Sequence, residues 1–410
     1  MSRLPTTTDD RNGQAELERR LRGRVQAMLT YAELAADPRP LTGLLQETAE
    51  ALGPDGPLSL LVEYTVEELR SRSRSVADSV RVWDDLHVRA DAALDPRDTT
   101  LMSIKALHAR YARLSGGPAD RDAAVQSYEV EWRRRLAILG ARAHRTSTAH
   151  ANLATALRER GRPGDLRRAC VIARQEIAVR RDVWGPENSF LWTAQVILAQ
   201  CLLRAAERVE GPEPGHDQSA EPAAGYDLPA APGGSWTGPA CVDGPGDYPR
   251  VAANDLTRPA AELVAEGREL AAAVAAARRD RFGTASGATL RAQLVHAYAS
   301  LLAGEPDAAV TEIRYVLATN RRVGANLDPG WPELLLARAL LSTGFAAGGV
   351  GLDDALTQAR AAVEARLERY PAGTERVAEA ERFEAEARRL INQAPRPGTN
   401  AEPFPTAADG

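Results

Sequence analysis

Lysine is almost missing from this chain: of 51 basic residues only Lys105 is a lysine, so nearly all the positive charge is guanidinium. The one lysine stands in "SIKAL", which excludes a phosphate-cradling Gly-Lys-Ser/Thr loop. Three cysteines (Cys170, Cys201 and Cys241) are too few and too scattered for a disulfide framework. Cys170 and Cys201 stand in apolar helical stretches and read as small buried residues. The histidines (His87, His108, His144, His150, His216 and His296) are scattered, and no HExxH, CxxC or GxSxG occurs. The longest uninterrupted apolar run, "LAAAVAAA" at 270–277, is far short of a membrane span. The opening "MSRLPTTTDDRNGQAELERR" lacks the apolar core of a secretory signal. Neither sign of charge dominates, and a net charge of −5 gives no reason to expect nucleic acid. These absences lead us to expect a soluble cytoplasmic protein that is not an enzyme. It should have no cofactor, no metal, no nucleic-acid partner and no membrane contact.

What is present is repetition. Aligned on Trp184, the residue before Gly185 in "VWGPENS", equivalent anchors stand at Leu52, Leu94, Leu139, Phe282, Val323 and Tyr370. The successive spacings are 42, 45, 45, 98, 41 and 47 residues, so five fall in one band and the sixth is about twice it. Small residues recur with the anchors. Fifteen positions before them stand Ser79, Ala124, Ala169, Gly267, Ala308 and Ala355. Fifteen positions after stand Ala109, Ala154, Ala199, Ala297 and Ala385, with Glu67 and Arg338 as misfits. Two helices approach closely only where both present small side chains at the crossing, so each unit reads as a helical hairpin. The first helix follows the anchor, as in 148–160 and 191–207. The second runs into the next anchor, as in 307–323 and 353–370. Turns such as "SGGPADRD", "GRPGD" and "GEPD" carry the Gly that ends one helix and the Pro or Asp that opens another.

These stretches resemble the tetratricopeptide-repeat family, in its long-repeat, kinesin-light-chain-like form. "LGARAHRTSTAHANLATALRERG" and "WGPENSFLWTAQVILAQCLL" are similar to that family's "LGPxHPxTLxxxNNLAxxLxxxG" pattern, and "GEPDAAV" and "GLDDAL" to its second-helix entry. The resemblance covers roughly 52–390. It implies an all-α, right-handed superhelical solenoid of about seven helix-turn-helix repeats. With the arginine usage of a GC-rich genome, it also implies a bacterial, actinobacterial source. Residues 1–51, with helices near 14–36 and 40–51, would form a divergent repeat or cap, and repeats would occupy 52–208 and 258–391. Residues 209–257 hold 8 Gly and 8 Pro in 49 residues, a composition expected to be disordered. The tail 392–410 reads the same way.

Candidate partner contacts follow from the repeats. The resemblance implies a ligand-binding asparagine on the first helix, but the equivalent positions are Leu107, Asn152, Ile197 and Val295, and only Asn152 keeps it. Arginine recurs four positions before the anchors, at Arg135, Arg180, Arg278 and Arg366, with Ala90 and Thr319 as exceptions. Such a row reads either as a stripe that pairs with partner carboxylates or as salt bridges inside the array. Trp83, Trp132, Trp184, Trp192 and Trp331 stand on the helices and read as core. Trp236, with Tyr226 and Tyr248, stands in the Pro/Gly-rich insertion, where an aromatic reads as a docking residue.

The expected function is a non-catalytic scaffold that binds a protein or peptide partner through the groove of the solenoid. Two other readings stay open: a ligand-sensing regulatory subunit working with a separate signalling enzyme or ATPase, and a self-assembling structural protein. A homo-oligomer is compatible with each.

Overall fold

Alanine, leucine, arginine and glutamate dominate the chain, and all four are strong helix formers. The computed structural model describes residues 8–35, 38–209, 248, 254–346 and 351–393. Among these it has fifteen α-helices, one short 3-10 turn at Asn254–Thr257 and no strand. The helices are α1 (Thr8–Ala35), α2 (Arg39–Leu52), α3 (Pro57–Arg70), α4 (Val76–Ala93) and α5 (Thr99–Ser115). Next come α6 (Pro118–Leu139), α7 (His144–Arg160), α8 (Asp165–Trp184), α9 (Ser189–Val209) and α10 (Ala260–Phe282). The last five are α11 (Gly287–Leu302), α12 (Pro306–Val323), α13 (Trp331–Ala346), α14 (Leu352–Arg369) and α15 (Glu375–Gln393). The all-α class is as the sequence implies. Two compact units divide the chain at Ser127/Tyr128, inside α6.

The anchors mark helix ends. Leu52, Leu139, Trp184, Phe282 and Val323 are last helical residues, while Leu94 and Tyr370 cap the helix just before them. Gly185 and Gly283 show why the turn motif needs glycine. Their φ angles of 81° and 83° lie in a region that L side chains rarely adopt. From there their amides still reach back to the carbonyls of Arg181 and Arg279. Starts are equally local: Ser75, Asp98 and Ser286 accept from the amides of Asp78, Thr100 and Ala288.

The small residues sit where helices cross. Ser79, Ala124, Ala169 and Ala355 are fully buried, and a Cβ on Gly267 would meet Leu203 at 3.0 Å. One position departs from the expectation. Ala308 is exposed and its neighbour Ala309 is fully buried instead. Ala109, Ala154, Ala199 and Ala297 are likewise buried, whereas Ala385 on the terminal α15 is exposed. The misfit Glu67 is buried and offset by Arg70 and Arg74 at 2.9 and 2.7 Å.

Within the first unit, Leu21, Val25, Leu41, Leu44, Leu58 and Val62 close one core between α1, α2 and α3. A second core surrounds Trp83, fully buried, whose indole donates to Ser71 Oγ at 3.1 Å and stacks on Tyr111. Arg89 clamps α4 to α3 with two bonds to Glu63 at 2.9 Å and one to Asp55 at 2.8 Å.

Within the second unit, consecutive helices from α7 to α15 pack as neighbours. α9 packs against α10, so the long connection of residues 210–259 leaves and returns within one hairpin. Loop-closure entropy rises only slowly with length, which makes such an excursion cheap. Ser189–Arg208 of α9 is long and apolar enough to cross a membrane by length and composition. In this fold it is core: Leu198, Ala199, Cys201, Leu202 and Leu203 are buried, and the helix packs on α8, α10 and α11. The first helices of successive hairpins also touch one another, α7 on α9, α9 on α11 and α11 on α13. They form one continuous inner face.

Candidate functional site

Residues four positions before an anchor point into the interior in every repeat, which decides what an arginine there can do. Ala90, Thr319 and all four arginines at this position are buried, Arg180 and Arg366 to 2 % exposure. Each guanidinium then reaches ten residues ahead to a first-turn carbonyl of the next helix. Arg135 donates to Arg145 O at 3.0 Å and Arg278 to Ala288 O at 3.0 Å, while Arg180 bonds Phe190 O and Arg366 bonds Arg376 O. A cation near the end of a second helix and a carbonyl in the first turn of the next hairpin's first helix thus staple one hairpin to the next. As placed, these groups make no exposed stripe for partner carboxylates: their planar forks are spent on backbone inside the chain.

Counterions differ between the staples. Arg135 pairs with buried Glu131 at 2.9 Å, Arg180 with buried Glu176 at 3.0 Å, and Arg366 with half-exposed Glu379 at 3.0 Å. At Arg278 the helical position that carries Glu131 and Glu176 holds Val274. Its remaining contact is Thr193 Oγ1 at 3.2 Å, and its Nε has no hydrogen bond. Burial and the neighbouring charge of Arg291 push its guanidinium down to about 10.

Around Arg180 the staple widens into a polar cluster. Ser147 and His150 on α7 and Glu176 and Arg180 on α8 are all buried. Ser147 Oγ donates to Glu176, His150 Nδ1 meets Glu176 Oε1 at 2.9 Å, and Arg180 donates to Ser147 Oγ at 2.8 Å and Ser147 O at 3.0 Å. Burial alone would raise the Glu176 carboxyl, but the His150 hydrogen bond and the Arg180 charge hold it below its ordinary value. Burial pushes His150 down, so the neutral imidazole donates to Glu176 through Nδ1. The Ser-His-Glu set makes no nucleophile, because Ser147 is bonded to Glu176 and Arg180 rather than to the imidazole. Trp132 stacks on His150 with centroids 4.4 Å apart, and Tyr248 meets His150 edge-on at 4.7 Å.

Half-exposed charges are found instead on the inner face of the second unit. Arg158 on α7 donates to Gln200 on α9, and Arg204 pairs with Glu207 at 2.8 Å. Arg338 on α13 bridges Glu207 at 3.2 Å and Glu379 at 3.4 Å. Arg376 on α15 bonds Asp328 and, at 3.2 Å, Glu159, 217 residues earlier on α7. Tyr298 on α11 lies among them, its phenol pushed up by burial and by the Glu207 carboxylate. Burial would raise the Glu379 carboxyl too, but Arg366 and Arg338 hold it below the usual range. Ion pairs with a fifth to a third of each side chain exposed can be exchanged for a ligand's charges at little cost. Buried ones cannot.

Asn152 sits half-buried on α7, and its equivalents Ile197 and Val295 are buried, so no ladder of side-chain amides runs across the hairpins. Trp236 lies outside the described residues. The inner-face pairs had no signal in the sequence, because their members fall at unlike repeat positions. Among the described residues no group of three His, Cys, Asp or Glu is placed to hold a metal.

No protein-family model matches the chain, and no curated protein does. Solved structures do. Two crystal structures of nearly identical TPR-like repeats of a kinesin light chain from Podosopora anserina, one a single-substitution variant, share 14 % identity with it. The variant aligns over 65 % of this chain and 96 % of its own with a TM-score of 0.39. The other aligns over 64 % and 95 % with a TM-score of 0.38. At such identity and TM-score the likeness carries no conclusion about function.

Proposed function

We propose that the second unit is a non-catalytic interaction scaffold that takes a protein segment of mixed charge along the inner face of α7, α9, α11, α13 and α15. One observation carries the reading: the Arg204–Glu207–Arg338–Glu379 chain runs across separate hairpins while keeping part of every side chain in solvent. A polypeptide with both charges can replace those partners pair for pair. An apolar peptide would desolvate those pairs without offering them any new partner. The buried staples fix the spacing of the face, and Glu379, paired with both Arg366 and Arg338, joins the last of them to it.

The test is affinity capture from the native cell lysate with the full chain and with Arg204→Glu/Arg338→Glu. Both proteins should give the same helical circular dichroism. A stoichiometric partner should be held by the first and lost by the second, and its capture should weaken between about 0.1 and 1 M salt as the pairs are screened. Retention of the partner by the double variant would contradict the reading.

A further inference from the structure

Tyr248 is the one described residue of the connection between α9 and the 3-10 turn, and it is seated against a built site. Its ring meets the His150 imidazole at 4.7 Å and 65° and the Trp132 indole at 6.1 Å and 63°, both edge-on geometries that aromatic quadrupoles favour. Trp132 and His150 stack on each other as the walls, only 3 % and 2 % exposed. Behind them stands Glu176, fully buried. α6, α7 and α8 each contribute one of the three residues, and all three are fixed by packing or by the Ser147–Glu176–Arg180 bonds. The phenol faces the Trp132 indole and the Glu176 carboxylate closely enough to interact with both, but no well-aligned hydrogen bond closes at Tyr248 Oη or Trp132 Nε1, both buried. The walls are thus matched to an aromatic ring and the far end offers an indole donor and a carboxylate acceptor. Tyr248 fills the first and reaches the second without closing a well-aligned bond.

We propose that the Trp132–His150–Glu176 pocket is a binding site for a p-hydroxyphenyl side chain, filled in cis by Tyr248 and open to a tyrosine of another polypeptide once Tyr248 leaves. Two buried polar atoms without a well-aligned hydrogen bond mean that the cis occupant holds the site below its capacity. An incoming tyrosine can seat its hydroxyl to accept from Trp132 Nε1 and donate to Glu176. The site shares no residue with the inner-face ion pairs, so it stands or fails independently of the scaffold reading.

The test uses the full chain with Tyr248→Ala, which removes the occupant and leaves the walls intact. The probes are p-cresol, toluene and the peptide GPGDYPRVAAN with its Tyr→Ala form, with binding read by titration calorimetry. We expect p-cresol and the tyrosine peptide to bind Tyr248→Ala at least about tenfold more tightly than wild type. Toluene should bind more weakly than p-cresol, because it cannot use the indole donor and the carboxylate. The alanine peptide should not bind. Tyr248→Ala/Trp132→Ala should lose p-cresol, with unchanged circular dichroism as the control for folding. Equal p-cresol binding by wild type and Tyr248→Ala would overturn the proposal, as would no p-cresol binding to Tyr248→Ala. Toluene binding as tightly as p-cresol would overturn the hydroxyl-specific assignment.

Discussion

Arg180 and Arg278 occupy the same repeat position, are both buried, and both donate to the carbonyl ten residues ahead. Arg180 is neutralised by a buried carboxylate and hydrogen-bonded to Ser147; Arg278 faces Val274 and a second cation. One staple is therefore an ion-pair network that cannot lose a member, and the other an uncompensated charge that burial already disfavours. A third group, around Arg338, keeps its ion pairs partly exposed. The difference teaches that burial and counterion decide whether a recurring arginine builds the array or can recognise a partner. Recurrence does not decide it.

The largest expected effect lies at the fully paired staple. Arg180→Met leaves Glu176 charged and buried without its cation, and should lower stability by about 3–5 kcal/mol in chemical denaturation. A loss under about 1 kcal/mol would remove the contrast with Arg278. The same cluster sets a pH dependence. Burial depresses the folded pKa of His150 below its ordinary 6.5, so the unfolded chain takes the proton first. Stability should be complete above about 6.5 and fall as pH drops from there toward the folded value. Glu176, also depressed, adds a further loss as pH falls below its ordinary 4.5. His150→Phe, which cannot bind a proton, should flatten the upper part of that profile. An unchanged slope would rule out His150 as its source.

Arg278→Met should leave stability within about 1 kcal/mol of wild type, since the bonds to Ala288 and Thr193 are lost along with a desolvated charge. A loss as large as at Arg180 would show that the carbonyl bond, not the counterion, carries the staple. The smallest effect on stability is expected on the inner face, about 0–1 kcal/mol for Arg338→Ala.

Apart from α1, which begins six residues before its expected start near 14, the helices were readable to within a few residues because their limits are local. A glycine with positive φ after an anchor and a Ser or Asp before a first turn are contained in short stretches of sequence. The register slip from Ala308 to Ala309 lies within the unbroken α12, and no local feature of the sequence marks it. The arginine row was visible as a period, but its burial was not, because a guanidinium at a core position looks the same in sequence as one at a surface. Arg376–Glu159 and His150–Glu176 are brought together only by packing and share no periodic signal. Tyr248 stood out in sequence as an aromatic in a Pro/Gly-rich stretch; its pocket, drawn from three helices, did not.

One variant tests the central claim, that buried arginines build and half-exposed ones recognise. Arg338→Glu should be compared with wild type both in chemical denaturation and in capture of the native partner. The account predicts a midpoint shift equivalent to no more than about 1 kcal/mol together with loss of the partner. A fully retained partner, or a collapse of stability like that expected for Arg180→Met, would contradict it.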